Sequence, residues 1–266
     1  MLSQRSTRVA LVTGAAQGIG KAIALRLASD GLKIALNDIQ SKGDQLESIA
    51  EEIKKSFGSE VYAFPGDVSE ERDVEYMVEA VSKGLGSLDV MVANAGISGP
   101  LTPILATSKY LCNSKEQWDD ILRVNSKGVF LCYKYAAKKM VAQGRSGGRI
   151  IGASSVTGKQ GMAHTSAYTA SKFAVRGLTQ VAALEFGQYG ITVNAYAPGM
   201  FIFTVPRTRL VSYWVFTVRS NRKSNVLPSF STLGKTGDVA GLVSYLASQE
   251  SGYITGEPIP IENYPF

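Results

Sequence analysis

Tyr168 and Lys172 stand four residues apart in a segment with helical spacing of apolar residues, so both leave the same helix face. A free phenol titrates near pH 10, too high for an efficient proton donor or acceptor. A cation held beside it favours the phenolate and is expected to lower that value. The pair therefore has the chemistry of a general acid in one direction and a general base in the other. Ser155 lies thirteen residues earlier, at the end of an apolar run. Its hydroxyl could polarise the oxygen that Tyr168 protonates. Tyr-x-x-x-Lys alone is common, and its plainer reading is a half-buried tyrosine beside a solvated lysine.

The start of the chain supplies a partner for that chemistry. Thr13-Gly14-Ala15-Ala16-Gln17-Gly18-Ile19-Gly20 follows a short apolar run and opens a helical pattern. A strand that turns sharply into a helix aims free N–H groups and a positive helix end at one point, which suits a pyrophosphate. Gly14 permits the turn, Gly18 lets a phosphate approach the backbone, and Gly20 lets the helix pack on the sheet. The GxxxGxG spacing differs from the commoner GxGxxG, and glycines also mark ordinary tight turns. Here the strand before and the helix after provide the required context. Asp38 closes the second strand about twenty residues on, where a carboxylate accepts the ribose hydroxyls of an adenosine and repels a 2′-phosphate. NAD(H) is thus favoured and NADP(H) stays open, with Lys21 and Lys42 close in sequence. The competing reading of Asp38 is a helix-capping loop residue. Asp67, with Val68, could hold the adenine edge; alone it reads as an N-cap. An oxidised nicotinamide near Tyr168 would lower the phenol's pKa further.

The elements that must position these groups follow a regular rhythm. Strands are expected over 8–13, 33–37, 61–64, 88–93, 148–153, 191–196 and 254–261. Helices are expected over 18–29, 42–57, 70–83, 118–140, 167–186 and 239–248. Strands separated by helices imply right-handed crossovers and a parallel sheet covered on both faces. The strands are apolar without alternation, as burial on both sides requires. The expected fold is α/β: a Rossmann-type doubly wound parallel sheet in three α/β/α layers. A single domain over 1–266 is expected, since no linker or repeat interrupts it. The stretch 201–231 is aromatic, basic and aperiodic, and reads as a divergent lid on the substrate side, at about 200–231.

Composition narrows the classes. The 266 residues are 45% hydrophobic with a mean hydropathy of +0.03, enough for a large core. A net charge of +6 raises nucleic acid as a partner, but the basic residues are dispersed. The densest group, Arg207, Arg209, Arg219, Arg222 and Lys223, sits in one segment and reads first as a solvated or substrate-side loop. No nucleic-acid partner is expected. Cys112 and Cys132 form no CxxC pattern and His164 is the sole histidine, so no metal site is expected. No apolar run reaches signal or membrane-spanning length, and the expectation is a cytoplasmic protein without a membrane partner.

With these pieces in order, the chain resembles the classical short-chain dehydrogenase/reductase family. The likeness runs from residue 8 to about 196 and resumes over 233–256. Thr13 to Gly20 matches the family's TGxxxGxG turn. Ala93-Asn94-Ala95-Gly96 is similar to its NNAG motif, which supports the central sheet and the cofactor. Asn125 matches the helix asparagine that holds a relay water. Ser155, Tyr168 and Lys172 match the catalytic serine, tyrosine and lysine. Pro198-Gly199 matches the turn beside the nicotinamide, and Thr204 the threonine that binds its carboxamide.

The resemblance implies hydride transfer between NAD(H) and a carbonyl or alcohol carbon, with Tyr168 as general acid/base and Ser155 orienting the oxygen. Lys172 would bind the nicotinamide ribose, lower the tyrosine pKa and pass protons through Asn125 and water. The stretches 158–161 and 172–179 look like the acetoin/diacetyl reductase and polyol dehydrogenase branch, pointing to a small ketone, diketone or polyol. Substrate contacts lie in variable loops. The candidates are Ile97, Ser98, Thr157, Gln160 and His164, the last read more plainly as an exposed loop residue. The family is usually tetrameric, so a homo-oligomer, tetramer or dimer, is expected. Three departures stand out: extra residues around 109–114, an unusual 210–230 stretch, and an ending of Ile261-Glu262-Asn263-Tyr264-Pro265-Phe266 in place of Asp-Gly-Gly. They keep open a reductase of a bulkier or carrier-bound keto group, met by the lid's arginines. They also keep open a nucleotide-binding homologue without turnover.

Overall fold

A computed structural model describes residues 8–105, 115–144, 146–199 and 234–262. The apolar runs become seven strands: β1 Val9–Thr13, β2 Lys33–Asp38, β3 Val61–Pro65, β4 Val90–Ala93, β5 Arg149–Ala153, β6 Thr192–Pro198 and β7 Pro258–Ile261. They form one sheet in the order β3-β2-β1-β4-β5-β6-β7, with every described pairing parallel. The helices are α1 Gly18–Ser29, α2 Gly43–Phe57, α3 Glu71–Leu85, α4 Lys115–Leu122, α5 Val129–Ala142, α6 Ser166–Phe186 and α7 Thr236–Ala247.

Successive strand residues point to opposite faces, and in β1 both faces are buried. Val9 and Leu11 join Met91, Ile150 and Val193 under α3, α5 and α6. Ala10 and Val12 join Ile34, Leu36 and Ile151 under α1, α2 and α7. Two apolar faces on one sheet force the three-layer α/β/α arrangement expected from the sequence. The strand order runs outward from β1 to β3 on one side and from β4 to β7 on the other. The crevice at this reversal, outside the carboxyl ends of β1 and β4, is where such sheets hold ligands.

One expected element is different. The helix expected over 118–140 is interrupted: α4 ends at Leu122, a turn of π-helix covers Arg123–Gly128, and α5 follows. A π turn inserts one residue into the helix and shifts the hydrogen bonding, which bulges the backbone locally. Apolar spacing passes through such a turn with little change, so periodicity does not reveal it. Gly128 closes the turn against the loop after β3, where a Cβ would lie 2.9 Å from Val68 Cγ2. The last strand is also shorter than expected, because Ser251 to Gly256 form turns that precede β7.

The core between β5 and α5 is tight. A Cβ on Gly152 would overlap the Tyr133 hydroxyl and lie 3.3 Å from Val175 Cγ1, and that hydroxyl is hydrogen-bonded to Thr179 Oγ1 at 3.0 Å. Gly152→Ala is expected to destabilise the protein by about 1–3 kcal/mol through overpacking. Thermal unfolding would report this as a midpoint several degrees lower; an unchanged midpoint would show that the tyrosine can step aside.

Candidate active site

The carboxyl ends of β1, β4 and β6 are tied by a single amide. Asn94 Nδ2 donates to the carbonyls of Thr13 (2.8 Å) and Gly14 (3.1 Å). The N–H groups of Asn94 and Ala95 reach Thr13 Oγ1 at 3.0 and 3.1 Å. The Tyr196 hydroxyl, buried on β6, donates to Asn94 Oδ1 at 2.6 Å. The tie from Thr13 to Asn94, and Tyr196 altogether, had no signal in the sequence, because the partners lie about eighty and one hundred residues apart.

The glycine turn packs around this amide. Gly14 has φ +63, a conformation a side chain rarely adopts. A Cβ on Gly20 would overlap the Gly14 carbonyl and lie 2.6 Å from Asn94 Nδ2, so α1 fits there only without a side chain. Gln17 sits at the N-cap of α1 without a side-chain capping bond, and no acidic residue occupies the first turn, which holds Gly18, Ile19 and Gly20. The N–H groups of that turn are therefore open to an anion. Asp38 stands alongside, its carboxylate accepting the N–H groups of Ala16 (3.0 Å) and Ile39 (2.9 Å). Lys21, expected near this carboxylate, pairs instead with Glu52 at 2.8 Å. An open N–H turn, a cradle with no room for Cβ atoms and a fixed carboxylate fit a dinucleotide.

Asp67 is more committed than its sequence position suggests. Its Oδ1 accepts the Ser69 N–H (2.8 Å) and hydroxyl (2.7 Å), and its Oδ2 accepts Arg123 Nη1 at 3.1 Å. Burial works to raise the Asp67 pKa, but the hydrogen bonds from Ser69 and Arg123 outweigh it and hold the carboxyl below its ordinary value. Val68 beside it is buried. Arg123 had no sequence signal, since it reaches Asp67 from the unexpected π turn.

The titratable pair sits on α6. Lys172 is 4% exposed, and its Nζ donates to the Ala153 carbonyl at the end of β5 at 2.8 Å. Burial pushes its pKa down to about 8. The ammonium lies 5.5 Å from the centre of the Tyr168 ring. Burial also pushes the Tyr168 phenol above its ordinary value, against a hydrogen bond from Ser155 that works to lower it. The lowering expected from the neighbouring cation is therefore not found in the protein alone. The physical reason is desolvation: the ammonium faces a carbonyl, and the phenol loses more from burial than it gains.

Around the pair, Asn125 is fully buried on the π turn. Its Oδ1 accepts the Ile97 N–H at 2.8 Å, and its Nδ2 donates to the Ile97 carbonyl (2.8 Å) and Ser171 Oγ (3.1 Å). A Cβ on Gly96 would lie 3.1 Å from Asn125 Oδ1 and 3.5 Å from Lys172 Nζ. Ser155 is buried, and its Oγ accepts the Thr157 N–H at 3.2 Å. The Pro198-Gly199 turn is held to β7, where Gly199 N–H donates to the Ile261 carbonyl at 3.0 Å. Thr204, the 200–231 lid with its arginines, the 109–114 insertion with Cys112, and residues 263–266 lie outside the described residues.

Of the substrate candidates, Ser98 and His164 line a cavity together with Tyr168, and α4 adds Trp118 and Ile121 to it. Gln160 is exposed at the end of a short 3₁₀ turn and Thr157 is buried; neither lines that cavity, and nor does Ile97. Trp118 and Ile121 read in the sequence only as helix residues. No described helix is long and apolar enough to cross a membrane. Among the described residues no three His, Cys, Asp or Glu side chains gather as a metal site.

Comparison with known proteins agrees with this geometry. The family model of short chain dehydrogenases matches residues 8–210. A short-chain dehydrogenase/reductase of Armillaria gallica is 47% identical over 260 residues, covering 96% of this chain and 94% of its own. A 3-oxoacyl-[acyl-carrier-protein] reductase of Staphylococcus aureus is 39% identical over 260 residues, covering 97% of both. The crystal structure of NAD+-bound xylitol dehydrogenase superposes with a TM-score of 0.82 at 28% identity, covering 98% of this chain and 100% of that one. The chain belongs to the short-chain dehydrogenase family, oxidoreductases that act on alcohol and keto groups with a nicotinamide cofactor.

Proposed function

We propose that this protein moves a hydride between NAD(H) and the carbonyl or hydroxyl carbon of a small ketone, diketone or polyol, with Tyr168 as general acid/base. The carrying observation is the Tyr168 phenol on a cavity, hydrogen-bonded by Ser155 and one helical turn from a buried ammonium. The nicotinamide, when bound, supplies the hydride donor or acceptor. Tyr168 gives its hydroxyl proton to the substrate oxygen in reduction and takes one back in oxidation. Ser155 fixes that oxygen with its hydroxyl.

Lys172 holds the ribose and the charge balance. Burial has brought it to about 8, so the ammonium is stabilised by any negative charge that forms beside it. A phenolate at Tyr168 is such a charge. With Lys172 lowered to about 8 and Tyr168 raised, the resting pair at neutral pH is a neutral phenol beside a cation, the state that donates a proton. Above about 8 the protein alone sheds the lysine proton first. The Asn125 side chain is already engaged with Ile97 and Ser171. We assign Asn125, on the π turn beside Gly96 and Lys172, a part in the proton relay from Lys172.

For the cofactor, Asp38 supports NAD(H) over NADP(H). Its carboxylate is oriented by two N–H groups beside the open turn, and the nearby Lys21 is engaged with Glu52. The NAD+-bound xylitol dehydrogenase is consistent with this preference. We assign Gly14, Gln17, Gly18, Ile19 and Gly20 to the pyrophosphate, Asp67 and Val68 to the adenine, and Asn94 to Gly96 with Pro198 and Gly199 to the nicotinamide half. Likeness to the 3-oxoacyl-[acyl-carrier-protein] reductase supports a second reading, reduction of a carrier-bound keto group. A homo-oligomer, tetramer or dimer, in the cytoplasm is the setting we assign. Phe173, Val181 and Leu184, exposed along one side of α6, support self-association.

Tyr168→Phe is expected to lower turnover by roughly 10²–10⁴, with NAD affinity, measured by fluorescence titration, left nearly intact. Rates like the parent protein's would overturn the acid/base assignment. Asp38→Ala is expected to lower the kcat/KM ratio of NADH to NADPH by about tenfold or more, the worth of hydrogen bonds to a charged group. Equal losses with both cofactors would count against its ribose role.

A further inference from the structure

We infer that Glu262, after β7, tilts the nicotinamide site towards the oxidised ring, so that the protein holds NAD+ more tightly than it would with a neutral side chain there. The inference rests on the assignment of Pro198 and Gly199 to the nicotinamide half and deepens it. Oxidised and reduced nicotinamide differ chiefly by one positive charge on the ring. A site separates them by the charges it sets around that ring, and a fixed negative charge favours the oxidised form.

Strand register brings this carboxylate to the turn. Pro198 of β6 pairs with Ile261 of β7, and the Gly199 N–H donates to the Ile261 carbonyl at 3.0 Å. Glu262 is the next residue, and its side chain lies against Gly199. A Cβ on that glycine would stand 2.8 Å from Glu262 Cβ and 3.1 Å from Oε2. The other carboxylate oxygen, Oε1, is buried without a hydrogen-bond partner among the described residues. A buried carboxylate is costly unless an opposite charge lies near. Lys159 supplies one. It follows the short 3₁₀ turn after Ser155, and its ammonium works to lower a carboxyl pKa that burial raises. The loop carrying Lys159 leaves β5 beside β6, where the Ser154 N–H donates to the Tyr196 carbonyl at 2.9 Å. Glu262 thus borders, from β7, the corner that Ser155 enters from β5.

A charge in this position acts at a distance. Partly removed from water, it is weakly screened, and its field reaches further than that of a solvated residue. Lys159 bears the opposite sign and disfavours the oxidised ring. The two side chains therefore act on the nicotinamide balance in opposite senses. Glu262 lies directly on the turn, where its sign prevails. The same negative charge favours the positive ring that develops as hydride leaves the reduced cofactor. Glu262 therefore also assists carbonyl reduction on the enzyme.

The test titrates the full-length protein separately with NAD+ and NADH by isothermal calorimetry at pH 7.5. Glu262→Gln keeps the shape and removes the charge. It is expected to weaken NAD+ relative to NADH by about threefold to tenfold, the size of a charge–charge interaction in partly wet surroundings. Lys159→Met, at a half-buried loop position, is expected to move the ratio of the two dissociation constants the other way. A tie that merely holds the turn would act alike on both cofactors and be lost with either substitution. An unchanged ratio in Glu262→Gln, or shifts of the same sign in both variants, would overturn the inference alone. Should Glu262→Gln fail to fold, an unchanged ratio in Lys159→Met would overturn it instead. Failure of the parent protein to bind either dinucleotide would overturn the proposed function and the inference with it.

Discussion

A primary ammonium at 4% exposure must be answered by some acceptor, and for Lys172 it is the Ala153 carbonyl at the tip of β5. Much of the site follows from that bond. It docks α6 with its first turns over the end of β5, which places Tyr168 one turn earlier on the same face. The loop after β5 then wraps the lysine's own backbone: Ser154 Oγ donates to the Lys172 carbonyl at 3.2 Å, and a Cβ on Gly158 would lie 2.6 Å from that oxygen. Ser155, between them, has little freedom to be anywhere but beside the phenol. Desolvation brings the ammonium down to about 8, so it is the member of the pair that responds to a new negative charge.

A second constraint couples this corner to the glycine turn. Asn94 uses both amide hydrogens on β1 and its oxygen on Tyr196 of β6, so three strand ends share one side chain. Burial pushes the Tyr196 phenol far up, which keeps it a hydrogen-bond donor at every ordinary pH. The next two residues, Ala95 and Gly96, lead directly to Asn125 and Lys172. The turn suited to phosphates and the phenol suited to proton transfer are thus held at opposite ends of one short, rigid stretch of chain.

The alternation of strands and helices, the glycine turn and the Tyr168–Lys172 spacing were legible in the sequence because each is a local pattern. A parallel sheet buried on both faces writes itself as uninterrupted apolar runs such as Val9–Thr13. Other features were not legible, because they depend on distance in the sequence or on burial. Helical spacing places Lys172 beside Tyr168 but does not say whether it is solvated or buried, and the phenol's pKa turns on that difference. Counting the cation without the desolvation gave the wrong direction for Tyr168 in the protein alone. The π turn at Asn125 preserves enough apolar spacing to read as continuous helix. Arg123 on Asp67, and Trp118 beside Tyr168, are visible only once that turn has rotated α4 into place.

The central claim is that the phenol and ammonium act together on a bound nicotinamide, and titration of Tyr168 tests it most directly. The tyrosinate absorbance of the parent protein, less that of Tyr168→Phe, isolates this one phenol. Without cofactor its ionisation is expected above the ordinary tyrosine value, because burial dominates. With saturating NAD+ the added positive charge is expected to move it below that value, towards neutral pH. An ionisation that stays where it was when NAD+ binds would contradict the account, since the phenol would then lie too far from the ring to serve it.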